Sequence, residues 1–338
     1  MIAIRVDCNS EIGMGHVMRC LSVADSIKAL GENVCFIVAK DSDTSVFDKA
    51  TYEYFVLKDD KEVWSVAEVC DLLKEKKISK LLLDSYRITE EKLNALSAKV
   101  KVLYLDDLHL FDYNVDSIIN YNIEVTNDDY LPTKYFNRKL FIGPKYFPLR
   151  RELQNVAKSK IKNSIKNALI TTGSTEKNKI IKQIINAINV NRYTEIDFYI
   201  LKGVFYDESY KKELDHLADD YKNIHILEWG QDMAKLYTKA DLVIAPGSTT
   251  TFEALSLNIP CISFDFVDNQ HAQCMYMEKM GIAPYIGNFA ENAVAPEIIN
   301  NAFSKILSYN YRKKLEFQYS RLFDGKGSQR IAEILVGQ

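Results

Sequence analysis

The sequence predicts an α/β fold made of two doubly wound domains facing a cleft. Two patterns carry that reading. Short β-branched runs alternate with amphipathic stretches, and the alternation stops and restarts across a charged interval near the middle of the chain. Length agrees, because 338 residues exceed what one hydrophobic core usually organises and suit two domains of roughly 150–180 residues.

Residues 2–6 read as a strand, 16–30 as a helix stopped by Gly31, and 34–38 as the next strand. Along that helix Val17, Leu21, Ala24 and Ile27 recur at helical spacing and would line one face against a sheet. Residues 80–83 and 101–105 are apolar strand candidates, followed by Asp84 and by the pair Asp106 and Asp107, so both carboxyl ends carry polar groups. Between Pro148 and Ile165 the apolar pattern lapses. A boundary near Arg150 divides the chain into domains 1–150 and 151–338, with the last helix free to pack back on the first. The second series then runs strand 167–171, helix 177–189, strand 196–201, helix 208–221, strand 225–227 and helix 232–238. It continues with strand 241–245, helix 250–257, strand 261–264, helix 271–279, and helical patterns from 297 to the end.

Composition excludes several classes. Hydrophobic residues at 47% and charged residues at 26% are ordinary for a globular protein. A net charge of -3 and a pI near 6.0 supply no basic footprint for nucleic acid or an anionic membrane. The six cysteines stand apart, without CxxC or zinc-ligand spacing, and read as reduced, mostly buried thiols. No apolar run reaches the roughly 18 residues of a membrane span, and a cytosolic protein without such a span is expected.

The sharpest motif, Asn9-Ser10-Glu11-Ile12-Gly13-Met14-Gly15-His16, lies between the first strand and the first helix. Ligands of open α/β sheets bind outside the carboxyl ends of the strands, and Gly13 and Gly15 would let the backbone approach one there. The third glycine of a dinucleotide fingerprint is missing. His16 would sit near the helix N-terminus, whose dipole disfavours the imidazolium form, so it suits a general base. A capping or packing role is equally open.

In the second half, the run from Ala245 through Pro246, Gly247, Ser248, Thr249, Thr250, Thr251 and Phe252 to Glu253 follows a strand and opens a helix. Glycine, hydroxyls and helix-start N–H groups make an anion site there, a diphosphate being the obvious candidate; the alternative is an ordinary capping turn. The turn at Thr171-Thr172-Gly173-Ser174-Thr175 would face the same cleft. Glu253, one turn on, reads as a ribose ligand or a solvated helix residue. Asn269 and Gln270 read as sugar contacts or, with Asp268, as a helix cap. Asp84, Asp106 and Asp107 invite a cation, but no DxD spacing accompanies a phosphate turn, and no metal and no cofactor is assigned. No GxSxG elbow occurs.

Together these motifs resemble a known family. Arg5-x-Asp7 and the run from Ile12 to Leu21, with Gly15, His16, Met18, Arg19 and Cys20, resemble the start of the UDP-2,4-diacetamido-2,4,6-trideoxy-β-L-altropyranose hydrolase family of pseudaminic acid biosynthesis. The likeness continues through Asp84-x-Tyr86, Asp106-Asp107, Met233-Ala234-x-Leu236, Gly247-Ser248-Thr249, Glu253-Ala254-Leu255, Asn269-Gln270 and Asp324-Gly325-Lys326-Gly327. It implies a fold like that of the B-type glycosyltransferases, with two Rossmann-like domains. It also implies a metal-free, inverting hydrolysis in which His16 activates water against the anomeric carbon and UDP departs. By the same resemblance Gly13, Met14, Gly15, Tyr86, Asn269 and Gln270 would contact the sugar. Gly173, Ser174, Met233, Gly247, Ser248, Thr249, Thr250 and Glu253 would hold UDP. The chain departs from the pattern at Thr172 and Thr175, where a second glycine and an aspartate are common, and at Ser85, where histidine is frequent.

Two further readings stand beside this one. An inverting UDP-sugar glycosyltransferase of the same fold would use His16 on an acceptor hydroxyl, and a noncatalytic nucleotide-sugar-binding protein would not need His16. In every case the partner is a small UDP-sugar, and the expected state is a monomer or weak homo-oligomer.

Overall fold

Consecutive β-branched and aliphatic residues, buried on both faces, make the strands parallel and put helices over them. The computed structural model describes residues 1–7, 14–58 and 65–337; Gly13 and most of the glycine motif before it lie outside those residues. The chain divides into two compact units, Met1–Arg151 with Gly325–Gln338, and Glu152–Asp324.

Unit 1 begins β1 (Ile2–Val6), α1 (Gly15–Ala29), β2 (Val34–Val38), α2 (Ser45–Ala50), β3 (Tyr54–Val56) and α3 (Val66–Glu75). It goes on through β4 (Lys80–Asp84), α4 (Glu90–Ser97), β5 (Lys101–Leu105), β6 (Ser117–Asn120) and β7 (Lys139–Ile142). Among the described residues these strands form one seven-stranded sheet in the order β3-β2-β1-β4-β5-β6-β7, and every pairing is parallel. Winding reverses between β1 and β4, the position where such sheets open a crevice at their carboxyl ends.

Unit 2 opens after a short helix, α5 (Arg151–Gln154). It runs β8 (Asn167–Ile170), α6 (Ile180–Ile188), β9 (Asp197–Leu201), α7 (Glu208–Asp220), β10 (Ile224–Leu227) and α8 (Met233–Lys239). There follow β11 (Leu242–Pro246), α9 (Thr249–Ser256), β12 (Cys261–Asp265), α10 (Asp268–Lys279), β13 (Tyr285–Asn288), α11 (Pro296–Leu307) and α12 (Tyr309–Tyr319). The sheet order β10-β9-β8-β11-β12-β13 reverses between β8 and β11. The last helix, α13 (Gly327–Gly337), returns to unit 1. Ile331, Ala332 and Leu335 are wholly buried there, and Ser328 Oγ meets Ser22 Oγ of α1 at 2.7 Å.

The charged interval 151–165 is fastened to unit 2 by backbone acceptors rather than left as a free tether. Arg312 donates to Lys162 O and Asn163 O, and Asn258 Nδ2 donates to Ser159 O. Two sequence-predicted helices start three residues away from their expected positions. The helix expected from residue 177 begins at Ile180, because Asn178 and Lys179 adopt left-handed backbone. The helix expected from residue 271 begins at Asp268.

Candidate functional site

Unit 1 builds a buried polar cluster from α1 and from the carboxyl ends of β4, β5 and β6. On α1, His16, Arg19, Cys20, Val23 and Ile27 share the buried face, so the helix turns two ionisable groups toward the sheet along with its apolar stripe. The register pairs Val6 of β1 with Asp84 of β4, which sets Asp84 at the carboxyl end of the strand beside the winding reversal. Asp107 follows β5 and Tyr121 follows β6, so neighbouring strands present their side chains at the same sheet edge.

Asp84 is the hub. Its Oδ1 takes His16 Nδ1 at 2.6 Å and Arg19 Nη2 at 2.5 Å, and its Oδ2 takes Arg19 Nε at 2.6 Å and Cys20 Sγ at 3.3 Å. Burial alone would raise this carboxyl, but the Arg19 charge, then His16, and their hydrogen bonds outweigh it and hold Asp84 well below the usual carboxylate range. An ionised Asp84 can only accept, so His16 Nδ1 must carry a hydrogen and Nε2 is the nitrogen that accepts in the neutral ring. The 3.1 Å approach of Arg19 Nη2 to Nδ1 is then a contact enforced by their shared carboxylate. Burial works against the Arg19 charge, but Asp107 and Asp84 more than compensate and keep the guanidinium firmly protonated.

On the other side of the imidazole, Nε2 lies 4.0 Å from Asp107 Oδ2. That oxygen also receives Arg19 Nη2 at 2.8 Å and Tyr86 Oη at 3.0 Å. The Tyr86 ring meets the His16 ring edge-on, centroids 4.5 Å apart, and burial followed by the Asp107 charge pushes its phenol far up. Arg19 also donates to Tyr121 Oη. Met14, just before α1, is buried, and Gly15 is the first residue of the helix. The alternative that His16 merely caps the helix does not describe this geometry, since its side chain bonds a neighbouring strand's carboxylate.

The neighbouring aspartate does different work. Asp106 accepts from the backbone N–H groups of Leu108 and His109 and from the hydroxyls of Tyr113 and Tyr130; it organises the loop after β5. Asp7, Arg5 and Ser85 form a second buried group, with Arg5 Nη2 on Asp7 Oδ1 at 2.7 Å and Ser85 Oγ donating to Asp7 Oδ2. Ser85 therefore serves Asp7.

Unit 2 sets its two turns at its own winding reversal, after β8 and β11. Gly173 has φ +88, with open space where a Cβ would stand, so the backbone rather than crowding calls for glycine. Thr172 Oγ1 meets Tyr206 Oη and bonds Thr175 O, and Ser174 O accepts from Phe205 N at 2.9 Å. At Gly247 the reason differs: a Cβ would lie 2.3 Å from Cys274 Sγ and 3.2 Å from Gln270 O of α10. Ser248 precedes α9 in extended backbone, with Thr249 and Thr250 opening the first turn, where helix N–H groups lack intrahelical acceptors. Thr251 Oγ1 is turned back to Pro246 O at 2.6 Å.

Glu253 is buried, and its Oε2 accepts from Tyr237 Oη of α8 at 2.9 Å; the solvated alternative is overturned, because the neighbouring helix covers it. Met233 is buried at the start of α8. Asn269 lies in the first turn of α10, while Gln270 is buried and accepts from Phe266 N at 3.2 Å, bracing the loop after β12. Helix capping by Asp268 is corrected too, since α10 starts on it and the cap position is Val267.

Sequence reasoning flagged His16, Asp84, Asp107 and Tyr86 separately but did not join them, and it passed over Arg19 and Tyr121 as site residues. The spacing of Arg19, one turn from His16 on an otherwise apolar face, was a usable signal. Tyr121 carried none.

Known proteins match this architecture. Residues 167–314 match the glycosyltransferase family 28 C-terminal domain. The chain is 26% identical over 282 residues to the UDP-2,4-diacetamido-2,4,6-trideoxy-beta-L-altropyranose hydrolase of Campylobacter jejuni, covering 83% of this chain and 97% of that one. It is 25% identical to the spore coat polysaccharide biosynthesis protein SpsG of Bacillus subtilis, over 99% of this chain and 97% of the relative. Among solved structures, the UDP-GlcNAc 2-epimerase of Neisseria meningitidis superposes with a TM-score of 0.70 at 17% identity, and MurG of Acinetobacter baumannii with 0.68 at 13%. Both cover all of this chain and all of the solved chain. The protein thus has the B-type glycosyltransferase fold with two Rossmann-like domains; its residues 167–314 match the glycosyltransferase family 28 C-terminal domain, and its sequence resembles the UDP-2,4-diacetamido-2,4,6-trideoxy-β-L-altropyranose hydrolase family over most of its length.

Proposed function

We propose that the protein hydrolyses a UDP-linked 2,4-diacetamido-2,4,6-trideoxy sugar at the anomeric C–O bond, releasing UDP and the free sugar for pseudaminic acid synthesis. The observation that carries the proposal is the 2.6 Å contact of His16 Nδ1 with an ionised Asp84, which commits the ring to a tautomer whose Nε2 can take a proton from water. Attack from the face opposite UDP gives inversion. Backbone N–H groups and hydroxyls at Ser248, Thr249 and Thr250 stabilise the charge growing on the leaving diphosphate, a role that elsewhere falls to a metal ion. Gly173, Ser174, Met233, Gly247 and Glu253 complete the UDP contacts, with Glu253 on the ribose. Gly13, Met14, Gly15, Tyr86, Asn269 and Gln270 are the sugar contacts. The cytoplasm is the proposed compartment, and no described helix is long and apolar enough to cross a membrane.

The test is incubation of the purified protein with UDP-2,4-diacetamido-2,4,6-trideoxy-β-L-altropyranose, without metal or acceptor, followed by NMR. UDP and free sugar are expected to appear together with wild type and not with His16→Asn, which should still bind UDP. Binding without release would favour a second reading, an inverting glycosyltransferase, which the match of residues 167–314 to a glycosyltransferase domain supports.

A further inference from the structure

His16 Nε2 and Asp107 Oδ2 are 4.0 Å apart, too far for a hydrogen bond to each other. Two hydrogen bonds of about 2.8 Å from a single water join acceptors about 4.0–4.6 Å apart, the water's own angle fixing that span. Asp107 has capacity left: Arg19 and Tyr86 both donate to Oδ2, and of the carboxylate's roughly four acceptor sites the two on Oδ1 remain. The two donors also hold the carboxylate in place, and the Asp107 side chain keeps a small exposed fraction of 10%.

We propose that His16 Nε2 and the Asp107 carboxylate grip the attacking water by both of its hydrogens, so that Asp107 is the residue that selects water over an alcohol. The proposal rests on the hydrolytic reading above. In the reaction the water oxygen bonds to the anomeric carbon, the bond from that carbon to the phosphate oxygen breaks, and its electron pair leaves with UDP. One water proton passes to His16 Nε2. The other stays on the oxygen as the new anomeric hydroxyl, still donating to Asp107. An alcohol has one hydrogen, which His16 takes, so its carbon would face the carboxylate and the second hydrogen bond is forfeited. A hydrogen bond to a charged acceptor corresponds to a preference on the order of 10- to 100-fold.

The experiment supplies the same UDP-sugar to wild type, Asp107→Asn and Asp107→Ser in buffer containing dilute methanol. Methyl glycoside and free sugar are quantified by NMR, and UDP affinity by calorimetry. Wild type is expected to make far less methyl glycoside than the methanol mole fraction dictates. In both variants kcat should fall roughly 10- to 100-fold, UDP affinity should hold, and the methyl glycoside share should rise toward that mole fraction. Unchanged product ratios in variants that still bind UDP, or a wild type that already partitions by mole fraction, would overturn the role of Asp107 while leaving the hydrolase intact. A wild type that binds UDP but releases no sugar would overturn the hydrolytic reading itself, and the role of Asp107 with it.

Discussion

Asp84 decides the chemistry of its neighbours because it is buried, ionised and shared by His16, Arg19 and Cys20. Asp84→Asn keeps the shape but can offer an N–H to His16 Nδ1, which favours the wrong tautomer. Turnover is expected to fall about 100- to 10,000-fold, with UDP affinity by calorimetry little changed. The variant also leaves the Arg19 charge less compensated, and loss of one partner of a buried ion pair typically costs about 3–5 kcal/mol, readable as a lower thermal midpoint. A carboxyl whose folded value is depressed contributes stability above its unfolded value near 3.9 and loses it as pH falls through the folded value, so wild type should lose this contribution only in strong acid.

Glu176 has the opposite sense: burial, opposed by a hydrogen bond from Ile180 N, raises its carboxyl to about 8. Its contribution is present below the unfolded value near 4.3 and is lost as pH rises through about 8. Glu176→Gln should therefore flatten the fall in thermal midpoint across that window and stabilise the protein at higher pH by a few kcal/mol, a tenfold change in proton affinity being worth about 1.4 kcal/mol. An unaltered pH profile would remove Glu176 as its source.

At the scale of elements, α9 and α10 are locked by a single missing side chain. Gly247 lies against Cys274 Sγ, where a methyl group would intrude to 2.3 Å. Overpacking of this kind costs about 1–3 kcal/mol, so Gly247→Ala should lower the unfolding midpoint by that measure, and adding Cys274→Ala should recover part of the loss. Additive losses in the double variant would mean that the two positions do not share the space. Legibility also varied by element. α6, with Ile180, Ile181, Ile184, Ile185 and Ile188 buried on one face, announced itself by period. β3, β6, β7 and β13 are three or four residues long, and they exist because a neighbouring strand offers hydrogen bonds.

For the molecule as a whole, each unit has its own sheet, yet unit 1 is completed by residues from the far end of the chain. Besides burying Ile331, Ala332 and Leu335, α13 accepts Lys80 Nζ at Val336 O and donates from Arg330 to Lys145 O. Burial of each large aliphatic side chain is worth about 1.5–3 kcal/mol. A chain ending at Asp324 is therefore expected to show, in calorimetry, an earlier transition for unit 1 and a nearly unchanged one for unit 2; a single unshifted transition would deny α13 that role. By itself the sequence determined the alternation of strands and helices, the two winding blocks and the positions of the turns after β8 and β11, and it singled out His16, because each is encoded in residues close together along the chain. Only the tertiary structure decided that Asp84 orients His16, that Arg19 bridges Asp84 and Asp107, that Asp106 ties down the loop after β5 while Asp107 faces His16 and Arg19, and that Gly247 answers to Cys274. Those outcomes depend on strand order and register, which bring together residues up to 102 positions apart, as with Arg19 and Tyr121, and no local pattern records such a pairing.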